Sequence, residues 1–419
     1  MKPGMTGAAR AGPPSRVRPP APKHPQPPCD LCPPPGHPRC AAPRFLFVSV
    51  RPQCKGHVMR TFGIEEEFFL IDPGTSMPIL PDAETARILY GVEGGGSNTT
   101  AEFLACQVES ATPVCVEAAE ALASLRGYRK ELARTARELN LLPVGVGTPP
   151  LIPVGSAVIT DQERYRNINA FLPGIGAEQY VGGLHIHVSI PDADTGVHVL
   201  NSLRPWLPVL SALGANSPFW RGGDSGFASW RSIQYRKWSV QGIQPHFLDA
   251  ADYHRRLAFM LSSDVVLDAG HIGWAARLSG RYPTVEIRMV DAQMRPEDSL
   301  LIALLARALV DTALHRPEDP SIPAPEALDL AYWQGAKHGM TGNQLDPRSG
   351  GGTVSTDHRV SSLLEYVVRA LEDNGDRELV EAGLARIKSE GNGAIRQRRS
   401  FAEGGFDRVL ADAATEVSA

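Results

Sequence analysis

No stretch of this chain stays apolar for the roughly 20 residues that a membrane helix needs. Nor does it open like a secretory signal: Phe45-Leu46-Phe47-Val48-Ser49-Val50 is too short for the apolar core of one and has no cleavage motif behind it. Cysteine is scarce, six in 419 residues, and four of those (Cys29, Cys32, Cys40, Cys54) fall in the first 58 positions, unlike a secreted disulfide framework. The Gly-rich run from Gly91 to Asn98 lacks the Gly-Lys-Ser/Thr of a phosphate-binding loop. No internal repeat is present. A cytoplasmic protein is expected, with no membrane partner.

Charge is unevenly spread. Residues 1–58 hold nine Lys/Arg against one acid, so the remaining chain carries −12 of the overall −4. An acidic body excludes a nucleic-acid partner and suits a site that gathers divalent cations. The basic stretch also holds 15 of the 36 prolines. Residues 1–58 therefore read as a disordered Pro-rich leader, or an over-extended start, because Met59 immediately precedes the first strand. Cys29, Cys32, Cys40 and Cys54 with His37 and His57 fit no zinc module, and prolines at this density oppose the hairpins of one. Residues 59–419 are the body of the chain, long enough for one large or two medium domains with a buried core.

Within that body, Thr61 to Asp72 reads as a strand, with aromatic and β-branched residues around Glu65-Glu66-Glu67 and Asp72-Pro73-Gly74 as its closing turn. Alternation puts Glu65 and Glu67 on one face and Glu66 on the other. Ala101 to Ser110 is a second strand with Gln107 and Glu109 on one face; Glu102 has the opposite parity and needs a bulge to join them. Gly183 to Ile190 is the clearest strand, with Leu184, Ile186, Val188 and Ile190 on one face and His185, His187 and Ser189 on the other. Thr284 to Asp291 pairs Glu286 with Arg288 opposite Val285, Ile287 and Met289. Helices are expected at 82–90, 116–140, 161–171 and 195–215, the last broken or kinked near Pro205 and Pro208. Four more follow, at 296–315, 324–338, 360–373 and 378–398. The loop from Asn216 to Arg231 mixes glycine, aromatics and arginine, a make-up suited to closing over an anionic ligand.

Taken singly, each of these features is ordinary. An EEE run is most often a solvated edge, a strand histidine a satisfied core residue, and a Glu-x-Arg pair a structural ion pair. Four strands that each place acid, imidazole or guanidinium on one face are not ordinary. If they are neighbours, an antiparallel sheet carries a carboxylate-rich floor on one side and helices on the other. Hard carboxylate oxygens with a small imidazole share favour Mg²⁺ or Mn²⁺. Such ions beside arginines are what phosphoryl transfer from ATP requires.

Five motifs in order carry a closer likeness. They are Thr61-Phe62-Gly63-Ile64-Glu65-Glu66-Glu67, Gln107-Val108-Glu109-Ser110-Ala111-Thr112, Gly183-Leu184-His185-Ile186-His187-Val188, Ser217-Pro218-Phe219 with Phe227-Ala228-Ser229-Trp230-Arg231, and Thr284-Val285-Glu286-Ile287-Arg288. From Met59 almost to the C-terminus the chain resembles the YbdK-like carboxylate–amine ligases, the glutamate–cysteine ligase type 2 family. The resemblance implies an α+β, glutamine-synthetase-like catalytic domain: a curved antiparallel sheet with helices packed on the outer face and the active site in the concave one. It implies an ATP-dependent ligase that phosphorylates a substrate carboxylate and passes the acyl group to an amine. Glutamate and cysteine are the family's default pair, and the partners are small molecules. It further implies Glu65, Glu67, Glu109, His187 and Glu286 as metal ligands, and Arg288 and Arg231 as neutralisers of phosphate or carboxylate, with Arg236 beside them in nucleotide binding.

Three positions depart from the family pattern: Pro149 where many relatives have His, Arg281-Tyr282-Pro283 for His-Phe-Gly, and Lys337-His338 for Arg-Tyr. These bear on the substrate pockets and leave the acids untouched. Two rival readings are a His-x-His metallohydrolase and an Mg-ATP-binding protein without turnover. The first wants further His and Asp at the ends of parallel strands, where His246, His254 and His271 do not sit. Assembly as a homo-oligomer is compatible with this reading.

Overall fold

The strand that carries the three glutamates, β1 (Phe62–Asp72), is the spine of a nine-stranded sheet. The structure, a computed structural model, describes residues 53–54, 57–317, 322–349 and 351–418. The leader expected over residues 1–58 lies outside them except for the backbone of the paired Gln53–Cys54 and His57–Val58; Cys29, Cys32 and Cys40 lie wholly outside.

The other strands are β2 (Met77–Pro78), β3 (Glu93–Gly94), β4 (Ser97–Ala101), β5 (Gln107–Ala111), β6 (Leu142–Val144), β7 (Gly183–Ser189), β8 (Ala276–Leu278) and β9 (Thr284–Asp291). They run β8-β9-β7-β1-β5-β4-β3, with β2 and β6 on the far end of β1, and every pairing is antiparallel. The four polar-faced strands are thus consecutive neighbours: β9, β7, β1, β5.

Alternation along each strand sorts the two faces. Phe62 and Ile64 of β1, Leu184, Ile186 and Val188 of β7, and Val285 and Ile287 of β9 join one core under the helices. Phe68, Leu70 and Val108 continue it beneath α1 (Ala118–Glu138). The helix after β9, Pro296–Leu314, is buried almost throughout, between the sheet and the outer helices Thr356–Asn374 and Arg377–Glu390. A helix apolar all round belongs in such a middle layer. At the far end of β1 the other face also closes, as Phe69 and Ile71 pack with Phe103, Leu104 and Val144. Carboxylates occupy that face only nearer the start of the strand.

Several boundaries moved. The Gly91–Asn98 segment contains a hairpin between β3 and β4, turned by Gly95 (φ +59) and Gly96 (φ +80). A Cβ on Gly95 would meet the Ser124 carbonyl oxygen at 2.2 Å, so glycine is obligatory there. Ala101 to Ser110 is two strands rather than one, because Leu104 bridges to Ile159 and the Gln107 N–H turns back to the Leu104 carbonyl. The long helix expected at 195–215 is broken around Pro205 into Ala193–Leu203 and Leu207–Leu213. The last expected helix splits at Gly391 (φ +86) into Arg377–Glu390 and Gly393–Ser418. A helix at Ala250–Leu261 was not expected.

Candidate active site

Register brings the polar groups together. Glu65 lies opposite His185, Glu67 opposite Glu109, and His187 opposite both Gly63 and Glu286. Directly opposed residues of an antiparallel pair hold their Cβ atoms about 5 Å apart, so their side-chain tips can meet. They meet in two overlapping groups, Glu65, Glu109 and His185, and Glu67, Glu102 and Glu109. Within each group the donor atoms lie within 4.8 Å of one another, and Glu109 belongs to both.

Neighbours hold these carboxylates in place. The Gly183 N–H donates to Glu67 Oε2 at 2.9 Å, and the Thr100 hydroxyl donates to Glu109 Oε2 at 3.2 Å. His185 Nδ1 stands 3.2 Å from Glu65 Oε2, and His187 Nε2 stands 3.3 Å from Glu65 Oε1. Burial and the adjacent Glu102 push the Glu67 carboxyl up to about 8, despite the pull of Arg231, the Gly183 N–H and Arg288. Burial, then Glu65, Glu102 and Glu67, raise Glu109 well above the usual range, and burial raises Glu102. Glu65 goes the other way. Burial alone would raise it, but the charge of His187 and the hydrogen bonds of both imidazoles hold it well below. Burial lowers His185, whereas for His187 Glu65 outweighs burial and raises it.

Beside this hollow lies a guanidinium-rich edge. Glu286 is 4 % exposed and sits between Arg277, at 2.7 and 3.1 Å, and Arg288, at 2.9 Å. Burial would raise its carboxyl, yet the two arginines bring it down to about 2. Arg288 also donates to the Tyr235 hydroxyl at 3.2 Å. Arg231 is the second residue of the short helix α2 (Trp230–Tyr235), is itself buried, and donates from Nη2 to the Arg288 carbonyl at 3.2 Å.

The structure thus brings Glu65, Glu67 and Glu109 together and sets Arg231 and Arg288 side by side. His185, not His187, enters the donor groups, because cross-strand pairing faces His185 toward Glu65 and Glu67 while His187 Nδ1 turns to the Thr284 hydroxyl at 3.0 Å. Glu286 stands one strand further out with both oxygens taken by arginine, outside the donor groups. Arg236 is elsewhere, in a surface ion pair with Asp329 at 2.6 Å. Sequence reasoning did not name Glu102 as a site residue, since by strand parity it needed a bulge to join that face; the turn after β4 delivers it. It also missed Arg277, for which no local signal exists.

The donor chemistry fits a hard divalent cation. Four carboxylates and one imidazole converge, and among the described residues no Lys or Arg ion pair within 4 Å neutralises Glu67, Glu102 or Glu109. Crowded acids whose carboxyls are driven upward are groups that a cation would relieve.

Known proteins share this architecture. The family model described as glutamate-cysteine ligase family 2 matches residues 61–412. A Mycolicibacterium vanbaalenii protein named "Putative glutamate--cysteine ligase 2-2" is 39 % identical over 362 residues, covering 84 % of this chain and 97 % of that one. A Nocardia farcinica protein named "Putative glutamate--cysteine ligase 2-1" is 40 % identical over 363 residues, covering 86 % and 92 %. Among solved structures, the glutamate–cysteine ligase of Francisella tularensis in complex with AMP superposes with a TM-score of 0.59 at 12 % identity, over 86 % of this chain and 89 % of that one. The bifunctional glutathione synthetase of Pasteurella multocida gives 0.62 at 15 % identity over 86 % of this chain, which spans about half (52 %) of that protein. The fold is the α+β, glutamine-synthetase-like one, a curved antiparallel sheet with helices on its outer face. By sequence, the chain belongs to glutamate–cysteine ligase family 2.

Proposed function

We propose that the protein is an ATP-dependent carboxylate–amine ligase working through an acyl phosphate, with glutamate and cysteine as its first candidate substrates. The observation that carries this reading is the pair of carboxylate groups joined through Glu109 and bordered by Arg231 and Arg288. Glu65, Glu109 and His185, and Glu67, Glu102 and Glu109, would hold Mg²⁺ or Mn²⁺. Bound there, the ions would supply positive charge against the triphosphate and polarise the phosphoryl group being transferred.

The chain's own residues do the rest. Arg288, fixed by Glu286 and Tyr235, and Arg231 beside it present guanidinium groups to the charge that builds on a transferring phosphoryl group or a substrate carboxylate. Arg277 and Arg288 keep Glu286 ionised, so Glu286 fixes the position of both guanidinium groups. A carboxylate oxygen attacks the γ-phosphorus of ATP and ADP leaves. The amine then attacks the activated carbonyl carbon, loses a proton, and expels phosphate as the amide forms. Residues 59–419 would form the catalytic domain. No described helix is long and apolar enough to cross a membrane.

The test is ADP release across a matrix of amino acids and amines, with Mg²⁺ and with Mn²⁺. Release is expected only when a carboxylate and an amine are both present. Glu67→Gln should reduce it on the order of 100-fold or more while the protein stays folded. Full activity in folded Glu67→Gln, or amide hydrolysis without nucleotide, would overturn the reading.

A further inference from the structure

At the C-terminal end of β9, Asp291 is 1 % exposed, and one loop engages both of its oxygens. Oδ2 accepts from the backbone N–H of Asn216 at 2.8 Å and from the hydroxyl of Ser217 at 2.7 Å. Oδ1 accepts from the hydroxyl of Ser229 at 2.8 Å. These residues are the two feet of the loop 216–231. The feet are also tied to each other: the Ser217 N–H donates to the Ala228 carbonyl at 3.1 Å, and the Trp230 N–H to the Ser217 carbonyl at 2.9 Å.

The hydroxyls pass the anchorage on. Ser217 Oγ, its proton committed to Asp291, accepts the backbone N–H of Arg231 at 3.1 Å. Ser229 Oγ caps α2 by accepting the Ser232 N–H at 3.2 Å. A single buried carboxylate therefore sets two hydroxyl rotors and, through them, the start of the helix that carries Arg231. The fit is tight on the other side too, since a Cβ on Gly147 would lie 2.5 Å from Asp291 Cγ.

The Arg231 guanidinium lies over Gly183, so close that a Cβ there would stand 2.5 Å from Nη2. It faces the Tyr235 ring at 5.4 Å and lines a small cleft together with Arg288 and Trp274. Arg231 Nε is buried and makes no hydrogen bond among the described residues.

We propose that Asp291 is the positioning residue for Arg231: by clamping Asn216, Ser217 and Ser229 it holds the Arg231 guanidinium where an anionic group of the substrates must lie. This role rests on the reading of Arg231 given above. Asp291 itself touches no substrate in this scheme. Replacing it by asparagine keeps the shape but leaves one acceptor oxygen for three donors and turns an NH₂ group toward at least one of them.

The experiment is a double-mutant cycle on the full chain with Asp291→Asn, Arg231→Ala and the double variant. Two readouts are taken, ADP release with ATP, L-glutamate and L-cysteine, and calorimetric affinity for Mg-ATP, which needs no turnover. Asp291→Asn is expected to weaken the same KM or affinity that Arg231→Ala weakens, by about tenfold, and to add nothing in the Arg231→Ala background. Ser217→Ala, which removes one link but leaves the carboxylate its other donors, should show the same pattern in smaller size. Equal losses from Asp291→Asn with and without Arg231, or wild-type values in folded Asp291→Asn, would overturn the role. If Arg231→Ala alone changes neither readout, the reading of Arg231 fails first and the positioning role falls with it.

Discussion

Consecutive glutamates on one strand meet opposite fates. Glu66 faces the helices, where Arg129 of α1 grips it at 2.5 and 2.9 Å and Ser299 adds a third hydrogen bond. Arg129 spends its remaining donors on the Met294 and Gln293 carbonyls and lies over the Phe68 ring. Charge is balanced there, and every group has a partner. On the other face Glu67 meets Glu109 and Glu102, with an imidazole and a backbone N–H for company. A buried acid therefore reports structure when the chain supplies its counter-charge, and function when the chain supplies more acid instead.

The helical face should respond most strongly to mutation. Arg129→Ala strands a buried carboxylate and should destabilise the protein by about 3–5 kcal/mol in denaturant unfolding. A change below about 1 kcal/mol there would mean that the two faces do not differ in this way.

On the hollow's side the sign reverses with pH. The Glu67 carboxyl sits at about 8 in the folded chain against an ordinary 4.5. Between those values the metal-free folded state binds more protons than the unfolded one, so stability is full below pH 4.5 and is lost as pH rises through about 8. Thermal melts with a chelator should therefore drop across that window, and Mg²⁺ or Mn²⁺ should flatten the curve. Glu67→Gln should flatten it without metal. A metal-free melting temperature that stays level from pH 4.5 to 8 would count against the crowding of acids described above.

The smallest effect is at the rim. Arg236 pairs with Asp329, whose side chain is 54 % exposed. Arg236→Ala should change stability by less than about 1 kcal/mol and ADP release by no more than about twofold. A larger loss of activity would return Arg236 to the nucleotide site.

Much of this was legible in the residues. Strict alternation in Gly183–Ile190 and Thr284–Asp291 fixed which side chains share a face, and the helices after β9 follow from apolar spacing. The donor set was harder to see. His185 and His187 have the same parity, and only strand pairing tells that His185 reaches both Glu65 and Glu67 while His187 reaches Glu65 and Thr284. Glu102 was set aside because a continuous strand would turn it away; the chain turns at Phe103–Cys106 instead, held by contacts to Val158 and Ile159 some 50 residues on. Glu286 looks like any other strand acid until Arg277 is placed across from it on β8.

The sequence alone decided that the chain has acid-bearing and apolar strand faces, because period two is a property of the local backbone. It also decided, by ordered motifs, the family. Which acids meet one another, which meet arginine, and that Asp291 anchors the loop bearing Arg231 were set by the packing of the folded chain. Those outcomes depend on register between strands far apart in the chain, and a shift of one residue would send each side chain to the opposite face.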